Sequence, residues 1–247
     1  MLAGGTFLGI LMNQGFLAPE TLLTLRDVEG LDRSEVVDGE LRLGAMVTHR
    51  AVERGPATAG WPVLRQAFGL VASPRVRNQA TVGGVLADAD YASDPPAMFA
   101  ALDARAVLRS ARGAREVAIH ELILGHYETC IAPDELLVEV RVPAQPERAV
   151  YRKFRTRSAE DRPCVAVAAA RGEDGLRVVV GAVAGTPQSF PDVCAPAGDG
   201  PLEPELAAEI GRRYAERIEP IADARGSAAY RRRIIAVEVR RAVEALA

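Results

Sequence analysis

From Ser73 to Asp94 the chain reads SPRVRNQATVGGVLADADYASD, a polar stretch rich in Gly, Ala and Asp that follows no periodicity. It is too long for a turn, and ordered loops of this length are commonly functional, so the fold must be one that holds an irregular segment in place. The flanking patterns narrow the choice. Ahead of it, Leu2–Ala3 reads as a strand end, Gly4–Gly5 as a tight turn, and Thr6 as the cap of a helix carrying Leu8, Leu11 and Met12. Thr21–Leu25 reads as a strand, Glu35–Asp38 and Leu41–Leu43 as a hairpin about Gly39, and Thr48–Arg54 and Pro62–Leu70 as helices. Behind it come a helix at Pro96–Leu102, strands at Ala106–Arg109 and Arg115–Ile119, and an alternating strand from Leu136 to Val142 that stops at Pro143.

Near residues 145–150 the pattern changes. Val150–Phe154, Cys164–Arg171 and Leu176–Val183 are runs of strand, the last two joined at Asp174–Gly175. Pro187–Pro204 reads as an exposed connection. The end is helical, with Leu206, Ile210, Tyr214 and Ile218 on one face, and Ile235, Val239, Ala242, Val243 and Leu246 on another. A mixed first part followed by strands and then helices predicts an α+β chain with domains at 1–147 and 148–247.

Composition excludes several functions. A net charge of −3 and 5% aromatic residues give no basis for a nucleic-acid partner. No apolar run reaches membrane-span length and no signal peptide is evident, so membrane insertion is not expected and the cytoplasm is the expected location. Cys130, Cys164 and Cys194 are widely spaced, and His49, His120 and His126 lack ligand spacing, so no metal is expected on this chain. Cys130 and Cys164 read as small buried side chains, and His49 and His126 as structural or surface residues. The arginines at 225, 231–233, 240 and 241 read as a solvated face. Glu160–Asp161 reads as turn charges.

Two glycine pairs carry the chemistry: Ala3-Gly4-Gly5-Thr6 before a helix, and Thr81-Val82-Gly83-Gly84 inside the long segment. Glycine tolerates positive φ and close backbone approach, so successive N–H groups can converge on one anion. At a helix start the dipole reinforces this, and Thr6 and Thr81 add hydroxyls. Two such loops can close on a pyrophosphate from both sides; each alone reads more often as a tight turn than as a phosphate cradle. Neither fits the Rossmann or P-loop spacing.

LAGGTFL at Leu2–Leu8 resembles the first flavin-pyrophosphate motif of the FAD subunits of molybdenum hydroxylases, the family of xanthine dehydrogenase and aerobic carbon monoxide dehydrogenase. RNQATVGGVLADADYASD at Arg77–Asp94 resembles their second motif. Tyr151-Arg152-Lys153 with Asp161 matches a further segment. Gly226-Ser227-Ala228-Ala229-Tyr230-Arg231-Arg232, continuing to Arg240-Arg241-Ala242, resembles the signature of their C-terminal domain.

The resemblance implies an FAD-binding domain of the p-cresol methylhydroxylase/vanillyl-alcohol oxidase type and a smaller C-terminal α+β domain of antiparallel sheet with helices. It implies that Ala3, Gly4, Gly5, Thr6, Phe7 and Leu8, with Ala80, Thr81, Gly83 and Gly84, hold the pyrophosphate of FAD. Asp88 and Asp90 would lie beneath it and Asp94 near the adenosine. Leu137 and Lys153 would lie near the flavin ring, where a cation favours the anionic reduced form. It implies electron transfer, without catalytic residues on this chain, from the [2Fe–2S] clusters of a small subunit to an external acceptor, in a complex with a molybdopterin-binding large subunit.

Three positions depart from the family pattern: Val85 replaces Asn, Tyr91 replaces Pro, and Phe7 replaces a polar residue. The family's first motif follows a strand–helix–strand unit that is not found ahead of Leu2 here, so Leu2–Ala3 is expected at an unpaired sheet edge with apolar residues exposed, holding FAD weakly. Two alternatives stay open: an assembly subunit deficient in FAD, and a stand-alone flavin-dependent oxidoreductase.

Overall fold

The computed structural model describes residues 1–198 and 200–247. Helix α1 (Leu8–Asn13) precedes hairpin β1 (Ser34–Val37) and β2 (Glu40–Gly44). Asp38 and Gly39 at its turn both have positive φ, 52° and 82°, the tight pairing that suits the twist of a two-residue hairpin. Then come α2 (His49–Arg54), α3 (Pro62–Gly69), α4 (Pro74–Arg77), α5 (Val82–Asp88) and α6 (Pro95–Ala101). Next are β3 (Arg105–Ser110), β4 (Gly113–Ala118), α7 (Ile119–Leu122), β5 (Ile123–Gly125), β6 (Glu128–Thr129) and β7 (Leu136–Val142). The later part holds β8 (Arg148–Phe154), β9 (Val165–Gly172), β10 (Gly175–Gly181), β11 (Gln188–Ser189), α8 (Pro191–Cys194), α9 (Pro204–Arg217) and α10 (Ala228–Glu244).

The first part is built on a five-stranded antiparallel sheet in the order β1-β2-β7-β3-β4, with β5 and β6 as a small separate pair. The second is a four-stranded antiparallel sheet, β11-β10-β9-β8. Central β9 is buried on both faces. Ala166 and Ala168 face a core shared with Phe68, Phe99 and Leu102 of the first part, whereas Val165, Val167 and Ala169 pack with Tyr214, Ile235 and Val239 of α9 and α10. A strand covered on both sides reads as a continuous apolar run, and VAVAAA is one. The two parts therefore share a wall of core.

The stretch from Ser73 to Asp94 is more regular than its sequence suggests. Ser73 caps α4 and Thr81 caps α5, each hydroxyl accepting an amide of the first turn. Both helices are under ten residues, too short to display an amphipathic period, and α5 begins on the glycine pair that reads as a loop. The 187–204 segment is also not a bare connection. It forms β11 and α8 and buries Val193, Cys194, Ala197 and Leu202. Of the strand expected at Thr21–Leu25, a single parallel bridge from Thr24 to Leu2 is formed. Nothing on α1 is buried, and Met1, Ile10, Phe16, Leu17, Leu22, Leu23 and Val28 are exposed.

Candidate functional site

Both glycine motifs line one cavity of about 530 Å³, within the range of clefts that enclose cofactors. Its wall includes Ala3–Leu8, Ala80, Thr81, Gly83, Gly84, Val85, Asp88, Asp94 and Leu137, and from the second part Lys153 and Arg162. Segments far apart in sequence thus converge on one concavity.

The two motifs do different work. Among the described residues, none of the amide N–H groups of Ala3 to Leu8 has a protein acceptor. Gly5, at φ +68°, turns the backbone here in a conformation that a side chain would strain. Gly4 is required by its neighbour: a Cβ would overlap the Gln79 carbonyl oxygen, so the first motif can lie directly against the second. A run of amides without protein acceptors along a cavity wall leaves donors available to an anion.

The second motif spends its Val82, Gly83 and Gly84 amides internally, where the sequence suggests amides pointed at the anion. Val82 N–H donates to the Val47 carbonyl, Gly83 N–H to Ala45 (2.8 Å), and Gly84 N–H to the Thr81 hydroxyl (3.1 Å). Neither Gly83 nor Gly84 has positive φ. A Cβ on Gly83 would meet Ala45 Cβ at 2.6 Å, and one on Gly84 would meet Thr81 Oγ1 at 2.8 Å. These glycines let α5 sit close to the chain after β2 and bring its first turn into the wall. Thr6 is not the helix cap as expected; the cap position falls on Phe7 without a side-chain bond.

The acidic residues separate as well. Asp88 lines the cavity; burial pushes its carboxyl up to about 6 against the lowering pull of Arg162. Asp90 does not line it. Its carboxylate accepts from the Ala92 amide (2.9 Å) and from the Arg162 guanidinium, so its part is to brace the turn after α5. Asp94 accepts from the Tyr151 hydroxyl (2.5 Å) and from Lys153 Nζ (2.9 Å), and Lys153 also donates to the Leu70 carbonyl (2.8 Å). Burial raises the Asp94 carboxyl, opposed by the positive charge of Lys153 and the Tyr151 hydrogen bond. Asp94 and Lys153 therefore cannot attend opposite ends of an extended dinucleotide, as adenosine for one and flavin ring for the other would require.

Nothing local in the sequence gives Tyr151 a role. Alternation along β8 puts residues 151 and 153 on one face, a signal that could have paired them. Arg162 had no local pattern to mark it. Glu160 and Asp161 also line the cavity, and the Asp161 carboxylate accepts from the Ser158 amide, as a turn acid does. His49 is buried with both ring nitrogens unpartnered, its ring edge-on to Phe68. Burial lowers its pKa to about 4. Cys164 and Cys194 are buried thiols and Cys130 is half-buried. No cluster with metal-ligand chemistry occurs among the described residues.

Around the C-terminal signature Arg232, Arg233, Arg240 and Arg241 are exposed, as a solvated face requires, whereas Arg225 is half-buried and Arg231 departs from it. Arg231 is fully buried, donating to Asp223 Oδ1 (2.6 Å) and to the Ala182 carbonyl. Asp223 in turn accepts from the Tyr91 hydroxyl (2.6 Å), and Arg225 donates to that same hydroxyl (2.7 Å). Burial alone would raise the Asp223 carboxyl; the bonds from Tyr91, the Arg225 amide and Arg231 overcome it and hold it low. Tyr91 thus clasps the first part to the second.

Comparison with known proteins gives the same picture. Residues 1–145 match the family described as the FAD binding domain in molybdopterin dehydrogenase, and residues 149–246 match the CO dehydrogenase flavoprotein C-terminal domain. The nicotine 6-hydroxylase medium subunit of Paenarthrobacter nicotinovorans is 32% identical, over 98% of this chain and 88% of its own length. The carbon monoxide dehydrogenase medium chain of Afipia carboxidovorans is 33% identical, over 98% and 87%. Quinoline 2-oxidoreductase from Pseudomonas putida 86 superposes with a TM-score of 0.93 at 28% identity, covering 99% of this chain and 88% of that one. With matched families across both parts and relatives along nearly its whole length, the chain belongs to the FAD-binding medium subunits of the molybdenum hydroxylases.

Proposed function

We propose that this chain holds FAD in the cavity between its two motifs, with the pyrophosphate against the amides of Ala3 to Leu8, as one subunit of a molybdenum hydroxylase. The unpaired amides are the observation that carries the reading. Bound FAD supplies redox chemistry, linking the [2Fe–2S] clusters of a small partner subunit to an external acceptor, while a large molybdopterin-binding subunit hydroxylates the substrate. This chain's own residues bind and orient. Ala80, Thr81, Gly83 and Gly84 hold the first turn of α5 in the wall, and Leu137 contributes an apolar surface that excludes water. Lys153, fixed by Asp94 and the Leu70 carbonyl, sets a buried cation against the same part of the ligand that Asp94 meets. Asp88 places a carboxyl at the far end of α5.

The division into an FAD-binding domain, 1–147, and a C-terminal domain, 148–247, is supported by the sheet order and by the two matched segments. A cytoplasmic location is supported by the composition. Among the described residues, no helix is long and apolar enough to cross a membrane.

Titrating the purified full chain with FAD, followed by its visible absorbance after gel filtration, tests the reading. Saturable binding with co-eluting flavin bands is expected, and co-expressed partner subunits should co-elute with it. A chain that releases all flavin on the column, alone and in the complex, would overturn it.

A further inference from the structure

Four rings form a column from the cavity wall to the clasp between the two parts. Phe7 and Tyr127 are stacked, with centroids 5.4 Å apart and planes 20° from parallel. Tyr127 and His126 follow at 3.9 Å, and His126 meets Tyr91 edge-on at 4.8 Å. The far end is anchored, because Tyr91 is bound by Asp223 and Arg225.

The column is maintained at a cost. Tyr127 has φ +58°, a left-handed conformation that an aromatic residue adopts only when its surroundings impose it. Its amide donates to the carbonyl of Ala89 (3.0 Å), itself left-handed at φ +48°. Tyr127 remains 49% exposed, so burial of its ring does not account for the strain. What the arrangement does is fix Phe7. Helix α1, which follows it, has no fully buried residue, so it anchors that ring only loosely. One face of Phe7 is covered by Tyr127, and the residue lines the cavity with surface to spare.

We propose that Phe7 is an aromatic platform against which a planar heteroaromatic ring of the dinucleotide, adenine or isoalloxazine, packs inside the cavity, and that the Tyr127–His126–Tyr91 column holds that platform in place. The proposal rests on the reading that the cavity takes FAD. Offset or edge-on packing on a ring adds to the apolar contact that any side chain of similar size would make.

The test compares Phe7→Leu, which keeps apolar volume without the π face, with Phe7→Tyr, which keeps the face. FAD, FMN and ADP are titrated separately into the full chain, and the visible circular dichroism of bound FAD is recorded. Phe7→Leu should bind FAD roughly two- to tenfold more weakly, with Phe7→Tyr close to the parent. Weakened ADP with unchanged FMN assigns the ring to adenine; the reverse, with an altered flavin dichroism, assigns it to isoalloxazine. Tyr127→Leu, which lies behind Phe7 and outside the lining, should reproduce part of the loss, and covers the case in which Phe7→Leu fails to fold. Parent-like affinity for all three ligands in both Leu variants would overturn the platform and leave the FAD reading standing. A parent chain that binds no FAD would overturn both.

Discussion

Lys153 Nζ lies 2.9 Å from Asp94 Oδ2, with both side chains almost completely shielded from water. One comes from β8 and the other from the residue preceding α6, so a single ion pair spans the shared wall. Removing one member of a buried pair strands the other charge, at a cost of about 3–5 kcal/mol. Lys153→Met should therefore destabilise the FAD-free chain by an amount of that order in urea unfolding. The double change Lys153→Met with Asp94→Asn should recover most of it. Equal losses in the single and double variants would show that the pair is not coupled.

The glycines should fail in different ways. Gly83→Ala drives a Cβ into Ala45 inside the core, and overpacking of this kind costs about 1–3 kcal/mol. Its melting temperature should fall with or without FAD. Gly4→Ala pushes the first motif off the Gln79 carbonyl, just ahead of a helix with no fully buried residue. It should lose flavin retention while the FAD-free melting temperature moves little. A Gly4→Ala protein with full flavin content would separate the first motif from the pyrophosphate.

His49 makes stability depend on acid. Its folded pKa of about 4 lies below the ordinary 6.5, so the unfolded chain binds the extra proton between those values. The stability is therefore fully present above pH 6.5 and is lost as pH falls toward 4, by about 3 kcal/mol in total. His49→Leu removes the titration together with two unpartnered nitrogens. It should match or exceed the parent at pH 7, and its advantage should widen steadily down to pH 4 in thermal melts. A constant difference across that range would exclude the imidazole as the titrating group.

Asp88 acts in the opposite sense. Its folded carboxyl titrates near 6 against an ordinary 3.8, so the folded chain holds the proton longer and its stability declines as pH rises between those values. Asp88→Asn should be more stable than the parent above pH 6, with the difference vanishing below pH 4. Parallel melting curves at pH 4 and pH 7 would contradict this.

Much of the fold is legible in the sequence because its signals are local. Alternation marks Leu136–Val142, the turn at Gly39 marks the first hairpin, and apolar spacing marks α9 and α10. Of the residues singled out in the motifs, all but Asp90 line one cavity. The remainder depended on contacts with no local trace. Lys153 and Asp94 are distant in sequence, and only the packing of one sheet against the other part brings them together. Arg231 reads as one charge among several on a basic helix, and becomes a core residue because Asp223 and the Ala182 carbonyl receive it. Gly83 reads as a ligand loop, yet its space is taken by Ala45.

The wall supplied by β8 also sets a timetable. Ribosomes deliver the amino end first, so the amide cradle and the first turn of α5 emerge long before Tyr151 and Lys153. Until β8 has zipped to β9, Asp94 lacks both of its partners and the basin stays open along one flank. The cavity is thereby left unfinished until most of the polypeptide has been synthesised, and a nascent chain that stalls before residue 150 lacks that flank altogether.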